Sequence, residues 1–491
     1  MIGRLEYKWI VGIVFVFGLF MDLLDMTIVN VALPTLGRDL DIDPREGATT
    51  IQWVVTGYLL SLAVFIPVSG WASDRFGTKR IFMLALTVFT LSSLACGLAW
   101  NIESLIAFRV LQGVGGGMLT PVGTAMLFRA FPPAERAKGA AVLIIPMVVA
   151  PASGPIIGGY LVEYQDWRWI FFINIPIGVL ALAFAGLFLR EDKQDNPGRV
   201  DVPGFLLAAA GLASLMYGLA QAGINGFGDA NVILFGSIGL ALLAIFTVVE
   251  LRVAEPMIDI RLFRNRLFSA TNSVQIISQG GLMGGLFLLP LLLQAEMGMT
   301  PLESGLATFP QAIGVVSMVQ VAGRIYGRVG PRRMMMVGMA GATATTLAFL
   351  FVELNTNEWW IRLIMLARGW SFALTLIPLQ TATFATIRPQ EMGRASAIFN
   401  AGRQVAASLG VALLATALTN RLSANDAVLG SPATLDGALT AFHEAFLVAA
   451  ALTVVGIVAC FLVSDKEAAP SMRPAEAAGP SAEETAPAPA H

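Results

Sequence analysis

The chain has 491 residues, 56% hydrophobic and only 13% charged, with a mean hydropathy of +0.73. Water-soluble proteins carry about a quarter charged residues, so the composition excludes a soluble globular domain and describes a polytopic membrane protein. A net charge of −2 gives no footprint for nucleic acid, two histidines leave no zinc or haem constellation, and Cys96 and Cys460, both in apolar stretches, exclude a disulfide framework.

Fourteen apolar runs, each long enough to cross a bilayer as a helix, follow one another at 9–33, 50–72, 81–100, 104–128, 138–162, 168–189, 204–222, 231–250, 268–294, 304–325, 333–353, 360–384, 395–419 and 441–463. The expected fold class is all-α. An even number of spans puts both termini on one side. With the N-terminus inside, 23 of the 31 Lys and Arg fall in inner loops and tails, five fall outside, and Arg109, Arg368 and Arg403 lie within spans. That bias predicts cytoplasmic termini. Arg4 and Lys8 precede a first span too long for a cleavable signal.

Span 1 contains MDLLDMTIVNVALP (Met21 to Pro34), with Asp22 and Asp25 at bilayer depth. Each ionised Asp there costs ~2.5–3.5 kcal/mol, which calls for a cavity, a cation or a proton. Three residues apart, the two face the same side of a helix. Asp25 is flanked by apolar residues for two turns either way and is the first candidate for a coupling site. Asp22 shares that role or caps the helix end. In span 4, RVLQGVGGG places Arg109 inside the membrane with Gln112 one turn away, and an intramembrane arginine needs a counter-charge. The glycines resemble a nucleotide loop only superficially; no strand precedes them, and close helix packing accounts for them. In span 5, Gly154-Pro155 and Gly158-Gly159 predict a kink and a close helix approach.

After span 2 comes GWASDRFGTKR, with Gly70, Asp74, Arg75, Gly77, Lys79 and Arg80. After span 10 comes GRIYGRVGPRR, with Gly327 in place of Asp74. A doubled half of six spans, each with a tight basic turn after its second helix, is the internal symmetry of a secondary transporter. The polar stretch Arg190 to Pro203 breaks the chain after six spans. The expected division is therefore 1–189 as the first six-helix bundle, 190–266 as a linker with two inserted spans, 267–463 as the second bundle and 464–491 as a disordered cytoplasmic tail rich in Ala and Pro. Spans 7 and 8, nearly free of ionisable residues, are expected at the periphery. Leu251 to Arg266 alternates charge with large apolar residues, as a short amphipathic surface helix would.

The turn Gly70-x3-Asp74-Arg75-x-Gly77-x-Lys79-Arg80 resembles the signature turn of the major facilitator superfamily. The resemblance implies two six-helix bundles that rock about a central site, with Asp74 latching the outward-open state against the start of span 13 near Arg394. It also implies a role for Arg109 in proton coupling beside the span-1 carboxylate. The span-5 glycines are similar to the motif that marks drug/proton antiporters, with Ala150 where glycine is common. LDMTIVNVALP, DWRWIFFINIPIG (Asp166 to Gly178) and RQVAASLGVAL from Arg403 resemble the fourteen-span antiporters of the EmrB/QacA type.

The chain is accordingly expected to be an exporter of amphipathic small molecules that spans the lipid bilayer, uses protons as coupling ion, and has no cofactor, no metal and no enzymatic constellation. A membrane-fusion partner protein is left open, as is an endogenous metabolite or lipid as substrate. A non-transporting sensor would lack the span-5 motif. Spans 9–14 hold no mid-membrane carboxylate, so the substrate-contact candidates are amides and one cation: Asn30, Gln112, Gln275, Gln279, Gln311, Asn400, Arg403 and Gln404.

Overall fold

The computed structural model describes residues 6–40, 47–193, 201–253, 256 and 258–472, and among them the chain is helical with no strand. In chain order the helices are α1 (Tyr7–Asp39), α2 (Gly47–Phe76), α3 (Thr78–Gly97), α4 (Ile102–Ala130), α5 (Arg136–Tyr164), α6 (Trp169–Phe172), α7 (Asn174–Phe188), α8 (Val202–Asn225) and α9 (Ala230–Arg252). They continue with α10 (Arg266–Leu291), α11 (Pro301–Thr308), α12 (Pro310–Val329), α13 (Pro331–Ala348), α14 (Glu358–Thr383), α15 (Met392–Ala424), α16 (Leu435–Cys460) and α17 (Ala469–Met472). Thirteen segments among the described residues are long and apolar enough to cross a bilayer. The 29-residue α5 stands in the chain where the fifth span is expected, while α6 with α7, and α11 with α12, each fill one span.

The repeat seen in the loops is built into the packing. Gly77 and Gly330 stand between the second and third spans of their halves with φ of +100° and +86°, a conformation that favours glycine. A carboxylate lies against each and takes the amide two residues on: Lys79 N–H donates to Glu191 Oε1 at 3.1 Å, and Arg332 N–H to Asp465 Oδ1 at 2.9 Å. Glu191 follows the sixth span of the first half, and Asp465 follows the sixth of the second. Close approaches also repeat. A Cβ on Gly113 of α4 would meet the Tyr58 carbonyl of α2 at 2.5 Å, and one on Gly369 of α14 would collide with the Gln311 carbonyl of α12.

This cap corrects the expected tail. Residues 464–472 are placed by Asp465 and by Ser471, which bonds Tyr326 Oη at 2.8 Å and is 2% exposed. The ordered chain therefore runs past the expected boundary, and 473–491 lie outside the described residues. The surface helix expected at 251–266 is also corrected. Among the described residues this stretch holds the end of α9 and a 3-10 turn, Ile260–Arg264, capped by Asp259. Leu262 is buried, and Arg261 spends its guanidinium on the Leu251 and Val253 carbonyls, so the segment folds back on α9 instead of forming a continuous apolar face.

The inserted helices are not alike. The hydrophobic stretch of α9 is 17% buried and peripheral, as expected, but that of α8 is 44% buried. Helix α8 stands between the halves: Tyr217 stacks on Trp53 of α2 (5.9 Å), and the Ala222 carbonyl accepts from Thr416 of α15 at 3.0 Å. The peripheral placement expected for span 7 is therefore corrected. Small residues on α8 (Ala208, Gly211, Gly218, Ala222) let helices come close.

Candidate functional site

The centre of the first half is a buried polar cluster drawn from five helices. Asp25 (0% exposed) and Arg109 (1%) form an ion pair. Arg109 Nη1 also donates to Gln112 Oε1 at 2.8 Å, and its Nε donates to the Val54 carbonyl at 3.1 Å. Asp25 Oδ1 accepts from Gln112 Nε2 at 2.8 Å and from Asn174 Nδ2 at 3.1 Å. Asn174 is fixed in turn by Ser93 Oγ at 3.1 Å, and Ser93 donates to the Phe171 carbonyl. Cys96 Sγ lies 3.6 Å from Gln112 Oε1. Both carboxylate oxygens are satisfied and the charge is neutralised, which is what makes a buried pair tolerable.

Asp22, one turn away, is held by hydroxyls instead. Tyr58 Oη donates to its Oδ1 at 2.5 Å and Thr120 Oγ1 to its Oδ2 at 3.1 Å. The Tyr58 ring lies 4.2 Å below the Arg109 guanidinium, so one aromatic joins the two carboxylate environments. From the other half, Arg403 on α15 acts on Asp22 electrostatically. The seam between the halves sits beside it: Ser396 Oγ of α15 donates to the Pro121 carbonyl of α4 at 2.7 Å, next to Thr120.

The glycines of RVLQGVGGG are explained by proximity. A Cβ on Gly116 would meet Asp22 Oδ1 and Tyr58 Oη, both at 2.8 Å. One on Gly115 would meet the Ala85 carbonyl at 2.7 Å, and one on Gly117 the Leu62 carbonyl at 2.5 Å. In α5, which runs unbroken from Arg136 to Tyr164, a side chain on Gly154 would collide with Thr27, two residues past Asp25. Gly158 is buried, Gly159 has open space where a Cβ would go, and the Pro155 side chain lies outside the described residues.

At the end of the bundle that carries the basic loops, Asp74 is 2% exposed. Its cation is Arg129 of its own half, at 2.6 Å, and Arg129 Nε reaches across to the Pro389 carbonyl at 3.1 Å. The Asp74 carboxylate lies over Gly393 in the first turn of α15, and Arg394 contributes only through its field. Lys79 holds the Gly186 and Leu189 carbonyls, Arg80 pairs with Glu191 at 3.5 Å, and Arg75 is exposed.

The amides expected to contact substrate divide differently. Gln112 belongs to the ion pair. Gln275 donates to the Phe399 carbonyl at 3.1 Å and so fastens α10 to α15, whereas Asn400 donates to the Ser396 carbonyl one turn earlier in its own helix. Gln279, Arg403 and Gln404 are half-buried, Gln311 is buried with an unpartnered Oε1, and the Asn30 side chain lies outside the described residues. Sequence reasoning missed Tyr58, Thr120, Ser93 and Asn174. Asn174 alone had a signal, as a single amide between apolar residues in FFINIP.

Comparison with known proteins fits this architecture. The description of the Major Facilitator Superfamily matches residues 15–411. The Multidrug resistance protein B homolog of Mycobacterium tuberculosis is 36% identical over 410 residues, covering 82% of this chain and 75% of that protein. The Putative multidrug resistance protein MdtD of Klebsiella pneumoniae is 33% identical over 414 residues, covering 82% and 84%. Among solved structures, the human organic anion transporter MFSD10 superposes with a TM-score of 0.66 over 93% of this chain and 99% of that one, at 16% identity. The proton:xylose symporter XylE does so at 0.63 over 91% and 94%, at 13% identity. With a family match across most of the chain and relatives above 30% identity along four-fifths of it, this chain belongs to the Major Facilitator Superfamily.

Proposed function

We propose that the protein is a proton-coupled exporter of amphipathic small molecules, a drug:H+ antiporter of the fourteen-span EmrB/QacA type that works by alternating access in the cytoplasmic membrane. The observation that carries this reading is the Asp25–Arg109 pair, fully buried at bilayer depth, where an ionisable group is functional by default. The multidrug-resistance names of its relatives support the substrate class.

Protonation of Asp25 cancels the charge that neutralises Arg109. The guanidinium then keeps the Val54 carbonyl, Gln112 and the Tyr58 and Phe171 rings, and a remaining carboxylate beside it is Asp22, already bonded to Tyr58. A proton on Asp25 thus shifts Arg109 toward Asp22 and, through Thr120, disturbs the seam at Pro121 and Ser396. One charge moving across 100 mV is worth ~2.3 kcal/mol, enough for a single proton to drive useful accumulation.

In reconstituted vesicles, an imposed pH gradient should drive uphill movement of a substrate found by screening cationic, neutral and lipid-like compounds. Asp25→Asn should insert normally and lose that response, and a mutant that still answers the gradient like wild type would remove Asp25 from the mechanism. The topology is tested separately. A cysteine at Phe227, between α8 and α9, should label from outside intact cells, and one at Arg328, exposed in the last turn of α12, only after permeabilisation. The reverse pattern would overturn the orientation.

A further inference from the structure

Two carboxylates stand apart from the Asp25 cluster, on the inserted helices at the basic end. Asp201 caps α8, its Oδ1 accepting from the Gly204 N–H at 2.9 Å. Glu250 lies in the last turn of α9, its Oε1 accepting from the Ile258 N–H at 3.4 Å. They are 7% and 1% exposed, and one oxygen of each, Asp201 Oδ2 and Glu250 Oε2, has no hydrogen-bond partner. No Lys or Arg among the described residues is ion-paired with either side chain. Both turn toward one point: a Cβ on Gly204 would collide with Asp201 Oδ2 and lie 2.9 Å from Glu250 Oε1. The two carboxyl groups close over a glycine from facing helices.

Two ionised carboxylates this near each other, each desolvated and neither paired with a cation, cannot both keep their charge. Such a pair binds one proton and titrates as a unit. We propose that Asp201 and Glu250 form a proton-binding site on the inserted spans, with the carboxyl of one donating to the carboxylate of the other. The helix cap accounts for Asp201 Oδ1, and a proton shared between Asp201 Oδ2 and Glu250 Oε1, the two oxygens turned toward Gly204, gives the orphaned Oδ2 its partner.

The charged groups around the pair are few. Arg394 of α15 and Asp259, ahead of the 3-10 turn, act on Glu250 electrostatically. Arg261 is committed to backbone carbonyls and Arg252 is exposed. Helix α2 presents Asp74, paired with Arg129. Arg394 acts on Asp74 as well as on Glu250. Loss of the shared proton therefore adds a negative charge that competes with Asp74 for the field of Arg394, and the site reports to the seam between the halves.

The test is an infrared titration of the full chain in lipid vesicles. Wild type should show a carbonyl band from a protonated carboxyl group that disappears as pH rises. The band should be absent in Glu250→Gln, should titrate at lower pH in Asp201→Asn, which keeps the helix cap but removes the like charge, and should be unchanged in Asp25→Asn. Gly204→Ala, which forces the carboxyl groups apart, should shift or remove it without touching either acid. A band that survives Glu250→Gln, or one unmoved by Asp201→Asn, would overturn the proposal. So would a band abolished at constant pH by sodium or potassium, because the pair would then hold an alkali cation.

Discussion

Arg109→Gln is expected to cost about 3–5 kcal/mol of stability, the largest loss of any single change at the centre of the first half. The substitution leaves Asp25 ionised at 0% exposure with only the amides of Gln112 and Asn174 to face. Asp25→Asn should be milder. Arg109 would remain over the Tyr58 ring at 4.2 Å and on the Val54 carbonyl at 3.1 Å, and the new amide can still accept from Gln112 and Asn174. The double mutant should therefore be more stable than Arg109→Gln alone, because removing the second charge removes the uncompensated one. Thermal unfolding of the four proteins in detergent gives the cycle. Simple additivity would mean that the pair is not the unit that the geometry describes. The transport readout separates stability from coupling, since the double mutant should fold and still ignore a pH gradient.

How much of the site was legible in the sequence depends on what each feature needs. Asp25, Arg109 and Gln112 could be read from single positions, because a charge inside an apolar run is costly wherever its partner lies. The partners supplied by Tyr58, Thr120, Ser93 and Asn174 are scattered along the chain, and ordinary polar residues at these positions carry no such penalty to mark them. Gly77 and Gly330 were visible as a repeat, yet the carboxylates against them, Glu191 and Asp465, lie more than a hundred residues away. The tail boundary failed for that reason: composition sees Ala and Pro after Lys466 but not the cap that Asp465 provides. The placement of α8 failed differently. An apolar helix with small residues can face lipid or fill a groove between bundles, and hydropathy is the same in both cases.

Gly70→Ala is expected to open the basic end of the transporter. There the α2 backbone touches the first turn of α15 without any side chain between them: a Cβ on Gly70 would sit 2.6 Å from the Gly393 oxygen and 2.9 Å from its carbonyl carbon. Backbone cannot rotate away, so the halves must separate at that point, and overpacking of this kind costs about 1–3 kcal/mol. Asp74→Asn acts on the same seam more weakly. Asp74 lies over Gly393 at the positive end of the α15 dipole, and a carboxylate in such a place is worth about 0.3–1 kcal/mol, up to ~2 when partly buried. The rest of the seam holds in either mutant. Ser396 stays on the Pro121 carbonyl, Phe128 on Phe384 at 4.7 Å, and Arg136 on the Phe384 carbonyl. At 1.4 kcal/mol per factor of ten, Gly70→Ala should move the closed-to-open ratio about fivefold to a hundredfold and Asp74→Asn about twofold to twenty-five-fold. Spin labels at Arg75 and Arg388, both exposed at this end, give the distance distribution. The long-distance population should grow in the order wild type, Asp74→Asn, Gly70→Ala. The second half offers a control, because Gly327 stands where the first half has Asp74 and a Cβ there would meet only the Met472 carbonyl, at 2.8 Å. Gly327→Ala should leave the distribution unchanged. Equal shifts from Gly70→Ala and Gly327→Ala would mean that the seam is not held by the close approach of α2 to α15.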